Sequence, residues 1–540
     1  MKDISSTGSF IDFTLENFIY VDKTEYIPKL VKLKRVFISR PRRFGKSLTL
    51  DTIATLFETG VEPYFKGTWI YDKWTEPTYP VLRLNFLDLD KYSLEHFKQK
   101  LNAIISSFAR DINVKNYEEK VEPEDTIYFL LDELRKEKRQ IVILIDEYDC
   151  QMTANINNET LYKQFQEKIK SFYDTIKNKW PIKFLGITGV TRLKDVEIFS
   201  IGSDINDITN ESAFSQLIGF TRDEIKKYYI DYLKLAASYE NKCRVEEVTD
   251  AQIESMLDMM AQNYDGYCFD EDYEKKVFNT WSVNKFFQTM VGKKKVQFGE
   301  YWYDNGGLPS ILVNYLKTHE LNIFEYLDKD KFLKVSSDDF KNPTALTTIN
   351  QNVLMCQTGY LTLRSDLNKT STVALGIPNG EIYKALNRLL ANNIFKGNTD
   401  ITDDYGRSLL EVGTVDDIIN LFNSALNSVS YDNYPIVSES SVQNMLKLYL
   451  LGAHQEVLSE VHEAKGRADL VVNTDNKRIV FEFKYAENET EAKAKLSEAV
   501  EQIKTRDYGN ILPKKAELIR IAAVFNADPK VRAFTEFQLV

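Results

Sequence analysis

Three charged residues towards the end of the chain, Asp469, Glu482 and Lys484, have the types and spacing that phosphodiester chemistry requires. They fall in GRADLVVNTDNKRIVFEFKY (466–485). There two β-prone runs, Leu470 to Val472 and Ile479 to Phe481, flank the turn formers Asn473, Thr474, Asp475 and Asn476. A hairpin is expected, with Asp469 opening its first strand and Glu482 and Lys484 at the end of its second. Residues two apart on a strand share a face, so Glu482 and Lys484 point the same way. Two adjacent carboxylates can hold Mg2+, which polarises a phosphate and lowers the pKa of a water. The lysine then orients or deprotonates that water and balances developing charge. An E-x-K triplet alone means nothing, since charged residues often end core strands; the hairpin and the helices around it give it weight.

Those helices read clearly. VSESSVQNMLKLYLL (437–451) has Ser438 as its cap and Glu439 in its first turn, with Val442, Met445, Leu446 and Tyr449 as its buried stripe. Glu439 is a further candidate metal ligand. AKLSEAVEQIKTRDYGN (494–510) is amphipathic, with Leu496, Ala499, Val500 and Ile503 inward and Gln502 and Tyr508 as candidate DNA-positioning groups. His454 and His462 flank the region without ligand spacing.

A second set lies near the start. RPRRFGKSLTL (40–50) ends in Gly45, Lys46 and Ser47, as a phosphate loop ends, but has Arg40 where G-x-x-x-x-G-K-[ST] wants glycine. The β-prone Val36, Phe37 and Ile38 precede it, and Leu48, Ile53, Leu56 and Phe57 follow at helical spacing. Strand, loop and helix would direct backbone N–H groups and the helix N-terminus at phosphates, with Lys46 on the outer ones and Ser47 on Mg2+. Arg42 and Arg43 would add cationic donors. The bland alternative is a basic surface turn. Against it stands RQIVILIDEYDC (139–150), a strand pattern buried on both faces that ends in Asp146 and Glu147. Asp146 would hold Mg2+ through water and Glu147 would polarise the attacking water. YPVLRLNF (79–86) and IKFLGITGV (182–190) supply further strands of a parallel sheet. Thr188 is a candidate γ-phosphate sensor and Arg192 a candidate stabiliser of transferring charge, with a plain turn as the alternative for both.

Taken in order, YVDKTEYIPKL, FISRPRRFGKSLTL, ILIDEYD, TGVTRL and IFSIGSDINDIT resemble the AAA-ATPase-like family. That family commonly pairs its ATPase domain with a C-terminal PD-(D/E)XK nuclease-like domain, whose core order of helix, D…E-x-K hairpin and helix the last hundred residues resemble. The resemblance implies that arginine ahead of PRRFGKS is the family's own form, and that Lys46, Ser47, Asp146 and Glu147 form the ATP site. Asp22, Lys23 and Thr24 of VDKT look like a family element without an assigned role. NYDGYCFDED (263–272) and FNTWSVNKFF (278–287) also look like family segments, with Asn263 and Thr280 as departures of little chemical cost.

The expected architecture is α/β. A P-loop NTPase parallel sheet occupies 1–220, a helical lid or middle subdomain 221–345 and a connecting α+β region 346–430, before a PD-(D/E)XK nuclease-like domain at 431–540. In FTRDEIKKYYIDYLKLAA, Ile225, Tyr229, Tyr232 and Leu233 line one helical face. LMCQTGYLTLRSD and STVALGIPNGEIYKAL suggest a small hairpin and a helix. A net charge of −11 gives no global field for nucleic acid, so local patches must serve. Four scattered cysteines fit a reducing compartment. No apolar signal core or membrane-length run is seen, so a cytoplasmic protein without membrane partners is expected. The expected activities are ATP hydrolysis and Mg2+-dependent cleavage of nucleic acid, with DNA the expected form and ATP and Mg2+ the cofactors. The alternative is a nucleotide-switched binding or signalling protein whose nuclease-like domain does not cut. Oligomeric state is left open.

Overall fold

The structure is a computed structural model describing residues 1–177, 179–192, 204–302, 310–316, 319, 323–343, 345–369, 371–395, 407–453, 455–463, 466–474, 476–509 and 517–540. His454, Asp475 and part of IFSIGSDINDIT lie outside them. The chain forms two compact units, one of Met1–Leu321 with Asp330–Ile382, the other of Asn322–Lys329 with Tyr383–Val540.

The first unit is built on a five-stranded sheet of β1 (Arg35–Ser39), β2 (Val81–Asn85), β3 (Ile141–Asp146), β4 (Ile182–Gly189) and β5 (Asn206–Asp207), in the order β2-β3-β4-β1-β5. Every neighbouring pair is parallel. Helices Lys46–Thr59, Leu94–Asp111, Pro123–Lys136 and Glu159–Ile176 intervene, and this is why β3 reads as an unbroken apolar run. Beyond the sheet, Arg222–Tyr228, Ile230–Asn241, Asp250–Tyr264 and Thr280–Lys293 enclose a core of their own containing Ile225, Tyr229, Tyr232 and Leu233. The expected single helix over 220–237 breaks at Tyr229, yet the expected face stays buried. The expected small hairpin is β7 (Thr362–Leu363) with β8 (Thr372–Gly376); β6 (Leu333–Ser336) pairs with β8 as a third strand. Helix Gly380–Ile394 begins in this unit and ends in the other.

In the second unit, β9 (Glu456–Glu463), β10 (Gly466–Asn473), β11 (Lys477–Ala486), β12 (Glu517–Asn526) and β13 (Ala533–Leu539) form a sheet in the order β13-β12-β11-β10-β9. β10 and β11 are the expected hairpin, closed by the Thr474 N–H to Lys477 carbonyl bond of 2.8 Å. β12 runs parallel to β11 after the crossover helix Glu489–Arg506. Ala499 and Ile503 of that helix pack on Ala468, Val471, Val480 and Ala522. Helix Glu439–Gly452 is capped by Ser438, as its sequence suggests, and buries Val442, Met445, Leu446 and Tyr449. Both hairpin strands run further than expected. Asp469 and Glu482 therefore lie inside β10 and β11, not at their ends. The β10–β11 ladder ends at the Leu470–Phe481 pair, while β11 continues beside β12 through Glu482 and Lys484.

Candidate functional sites

In the first unit the loop 40–45 links β1 to helix Lys46–Thr59 at the carboxyl edge of the sheet, where open α/β folds bind ligands. Gly45 is the residue before the helix, at φ +103°, a conformation that glycine adopts without strain. Lys46 is buried and donates from Nζ to the carbonyls of Arg40 (3.1 Å) and Pro41 (3.3 Å), with Glu147 Oε1 at 3.5 Å. Asp146, ending β3, accepts from the Ser47 hydroxyl at 2.5 Å with one oxygen and from the Thr188 hydroxyl with the other. Two hydroxyls gathered on one carboxylate at a helix N-terminus form an oxygen-rich set of the kind that fits Mg2+. Glu147 sits at φ +52°, a strained setting for a residue with a side chain, and its N–H is held by Asp146 Oδ1 at 2.9 Å.

These groups border a cavity of about 500 Å3 that Arg42, Arg43, Gly45, Lys46, Ser47 and Glu147 help to line. The volume suits a small molecule of nucleotide size. Apolar residues Phe13, Ile19, Ile27, Leu217 and Ile218 face the same space. Arg43 stacks its guanidinium on Trp281 at 4.1 Å. Arg192 does not join the group. Its guanidinium pairs with Asp207, and it lines a separate small cavity with Arg40, Cys268 and Gln357.

Arg40 points away from the large cavity. Its guanidinium is buried, donating to the carbonyls of Ser39 (2.9 Å) and Thr209 (2.6 Å) and lying 4.1 Å from the Phe269 ring. Burial pushes its pKa down to about 9, against the opposing charge of Asp207. The side chain that replaces the usual glycine thus serves as an anchor beneath the loop. VDKT is a clasp of similar kind. Asp22 accepts from the Thr24 N–H (2.9 Å) and hydroxyl (2.6 Å), while Lys23 reaches Glu224 and the Gln216 carbonyl, both at 2.7 Å.

In the second unit, Asp469 and Glu482 lie one residue beyond the Leu470–Phe481 pair of the hairpin. Asp469 accepts from the Phe483 N–H at 2.8 Å and from the side chain of Gln443. Glu482 is fully buried; Oε1 accepts from Lys484 Nζ at 2.9 Å, and buried Oε2 has no hydrogen-bond partner. Burial raises Asp469 to about 6, and burial with the neighbouring Asp469 charge raises Glu482 to about 7. Burial works to lower Lys484, but its hydrogen bond to Glu482 and the charges of Glu482 and Glu439 outweigh it, so the ammonium is held above its ordinary range. A buried carboxylate oxygen without a donor is costly, and a hard cation relieves it. Mg2+ characteristically takes one or two carboxylates and completes its shell with water and phosphate oxygens, so Asp469 and Glu482 fit it as a pair. Among the described residues no group of three or more His, Cys, Asp or Glu side chains is arranged to hold a metal. Glu439 faces Lys484 at 3.6 Å instead of completing such a group.

Two neighbours escaped the sequence reading. Gln443 follows Glu439 by four residues and so shares its helical face, which was the available signal. Arg506, in the last turn of its helix, donates to the Tyr508 hydroxyl at 2.7 Å and feels the charges of Glu482 and Asp469. Gln502 also reaches that hydroxyl, at 3.3 Å, and Tyr508 is buried.

Fold and sites together define a two-part α/β protein, with a P-loop ATPase-like sheet and a nuclease-like second unit. Residues 5–199 match the family model described as "Predicted AAA-ATPase", and residues 437–535 match that of the PD-(D/E)XK nuclease superfamily. The chain therefore carries an AAA-ATPase-like domain and a C-terminal PD-(D/E)XK nuclease-superfamily domain. It is similar to the uncharacterized protein in the vnfD 5' region of Azotobacter chroococcum mcd 1, at 25% identity over 95% of this chain and 94% of that protein. Superposition on the crystal structure of Cdc6p from Pyrobaculum aerophilum spans 68% of this chain and 93% of that one, at 12% identity and a TM-score of 0.26, too low to carry an assignment. Among the described residues no helix is long and apolar enough to cross a membrane.

Proposed function

We propose that this protein binds and hydrolyses ATP at the loop 40–47 and cleaves phosphodiester bonds of nucleic acid at Asp469, Glu482 and Lys484. The observation that carries the nuclease half is Glu482 Oε2, an unpartnered carboxylate oxygen buried beside a second carboxylate. A purely structural core has no use for that pair. Asp469 and Glu482 would hold Mg2+. When bound, Mg2+ supplies Lewis acidity towards a phosphate oxygen and makes a water more acidic. Asp469 is fixed for this by the Phe483 N–H and Gln443. Lys484, kept charged between Glu482 and Glu439, donates to the anionic phosphate and opposes the charge that grows on it; it is poorly suited to take a proton. At the other site Lys46 would leave the carbonyls of Arg40 and Pro41 for the outer phosphates. Ser47 and Asp146 would hold the nucleotide's Mg2+, and Glu147 would orient the attacking water.

The test is cleavage of plasmid DNA and of single-stranded DNA and RNA oligonucleotides, with Mg2+ or EDTA and with or without ATP. Mg2+-dependent cleavage that is lost in Asp469→Ala is expected. Cleavage that survives in Asp469→Ala would move the chemistry elsewhere. ATP hydrolysis with no cleavage of any substrate would favour a nucleotide-switched binding protein.

A further inference from the structure

Four successive carbonyls of the phosphate loop are tied down. Those of Arg40 and Pro41 accept from Lys46, that of Arg42 accepts from Trp302 Nε1 at 3.1 Å, and that of Arg43 accepts from the Thr280 hydroxyl at 3.1 Å. A trans peptide is planar, with its C=O and the following N–H pointing in opposite directions. Tethering the carbonyl of Arg42 therefore sets the direction of the Arg43 N–H, and tethering that of Arg43 sets the Phe44 N–H. Those two amides stand ahead of Gly45 and the helix, in the stretch whose N–H groups form the anion-binding concavity of a phosphate loop. Lys46 must release its two carbonyls to reach a phosphate. Trp302 and Thr280 need not move.

The tethers are themselves held. Trp302 is fully buried, its ring packs edge-on to Tyr360 at 5.2 Å, and its backbone N–H donates to Glu381 Oε1 at 2.8 Å. The other oxygen of Glu381 accepts from the Ser282 hydroxyl at 2.7 Å, two residues after Thr280 on the same helix. One buried carboxylate thus locks both tethers. Gly359 closes the clamp, since a Cβ there would lie 2.8 Å from Pro41.

We infer that Trp302 and Thr280 are positioning residues for phosphate binding, which aim the loop amides from outside in a chain that has Arg40 in place of the first glycine. The inference rests on the ATP reading of this loop and deepens it. Trp302→Phe keeps an aromatic side chain, though a smaller one, and removes the donor; Thr280→Val removes the hydroxyl at nearly constant shape, and Thr280→Ser restores it. Binding of ATP, ADP and adenosine to the full chain is measured by calorimetry, alongside thermal melting. Losing one neutral hydrogen bond should weaken ATP and ADP by about two- to tenfold in Trp302→Phe and in Thr280→Val. Adenosine, which has no phosphate, should bind each variant as it binds wild type, and Thr280→Ser should recover ATP affinity. Adenosine weakening in step with ATP would overturn the inference by showing a general structural loss. ATP affinity unchanged in both variants would overturn it while leaving the phosphate loop intact. Wild-type protein that binds no ATP would overturn the ATP reading and this inference with it.

Discussion

Glu482→Gln should make the metal-free protein more stable at pH 8, with the gain shrinking steadily as the pH is lowered to 5. Burial raises Glu482 from 4.5 to about 7. Between those values the folded chain holds a proton that the unfolded chain has released. Stability therefore falls as pH rises through this window and is flat above it. At 1.36 kcal/mol per pH unit the loss comes to ~3 kcal/mol. Glutamine resembles the protonated form and does not titrate, so the variant escapes the loss. For a unit of this size that is roughly 6–12 °C in melting temperature. Asp469, raised by burial to about 6, adds a fall in the same direction that both proteins share. Mg2+ needs the charged carboxylates, so it should stabilise wild type more at pH 8 than at pH 5.5 and stabilise Glu482→Gln little at either. The assay is a melting series from pH 5 to 8.5, in EDTA and in Mg2+, following the transition of the second unit. Parallel pH profiles for the two proteins in EDTA would refute the buried-carboxylate reasoning.

Lys46→Ala should abolish tight ATP binding in calorimetry, and Glu147→Gln should bind ATP but hydrolyse it on the order of a hundredfold more slowly in a phosphate-release assay. Lys484→Ala should lower the cleavage rate at saturating Mg2+ while shifting the Mg2+ midpoint little, which a metal titration of initial rates reads directly. Gly189→Ala would set a Cβ 2.4 Å from the Tyr148 ring and displace the strand end that presents Thr188. It should cost about 1–3 kcal/mol of stability by chemical denaturation, with ATP hydrolysis falling as well.

The sheet strands and the hairpin were legible because burial on both faces, or a turn between two β-prone runs, leaves a pattern in consecutive residues. The placement of Lys46, Ser47, Asp146, Asp469, Glu482 and Lys484 on these elements was legible in the same way, because their neighbours in sequence form the elements that carry them. What was not legible depends on contacts between distant segments. Thr280 read as a harmless departure, yet its hydroxyl holds the Arg43 carbonyl across 237 positions of chain. Arg40 read as a variant of the loop, and only the carbonyls of Ser39 and Thr209 and the Phe269 ring show why an arginine suits that position. Arg192 follows the end of β4, as its sequence suggests, and only the fold shows that its guanidinium pairs with Asp207. β6 was missed because its four residues gain meaning only beside β8.

The backbone passes between the two units three times, near residues 321 and 329 and again between 382 and 383, the last time within helix Gly380–Ile394. No single cut can therefore release the second unit intact. A fragment ending near residue 320 would keep Lys46, Asp146 and Glu147 yet lack Gly359 and Glu381, which brace the loop. Such a fragment is a poor proxy for the nucleotide site, and exchanging the C-terminal portion between relatives at one junction would split a helix.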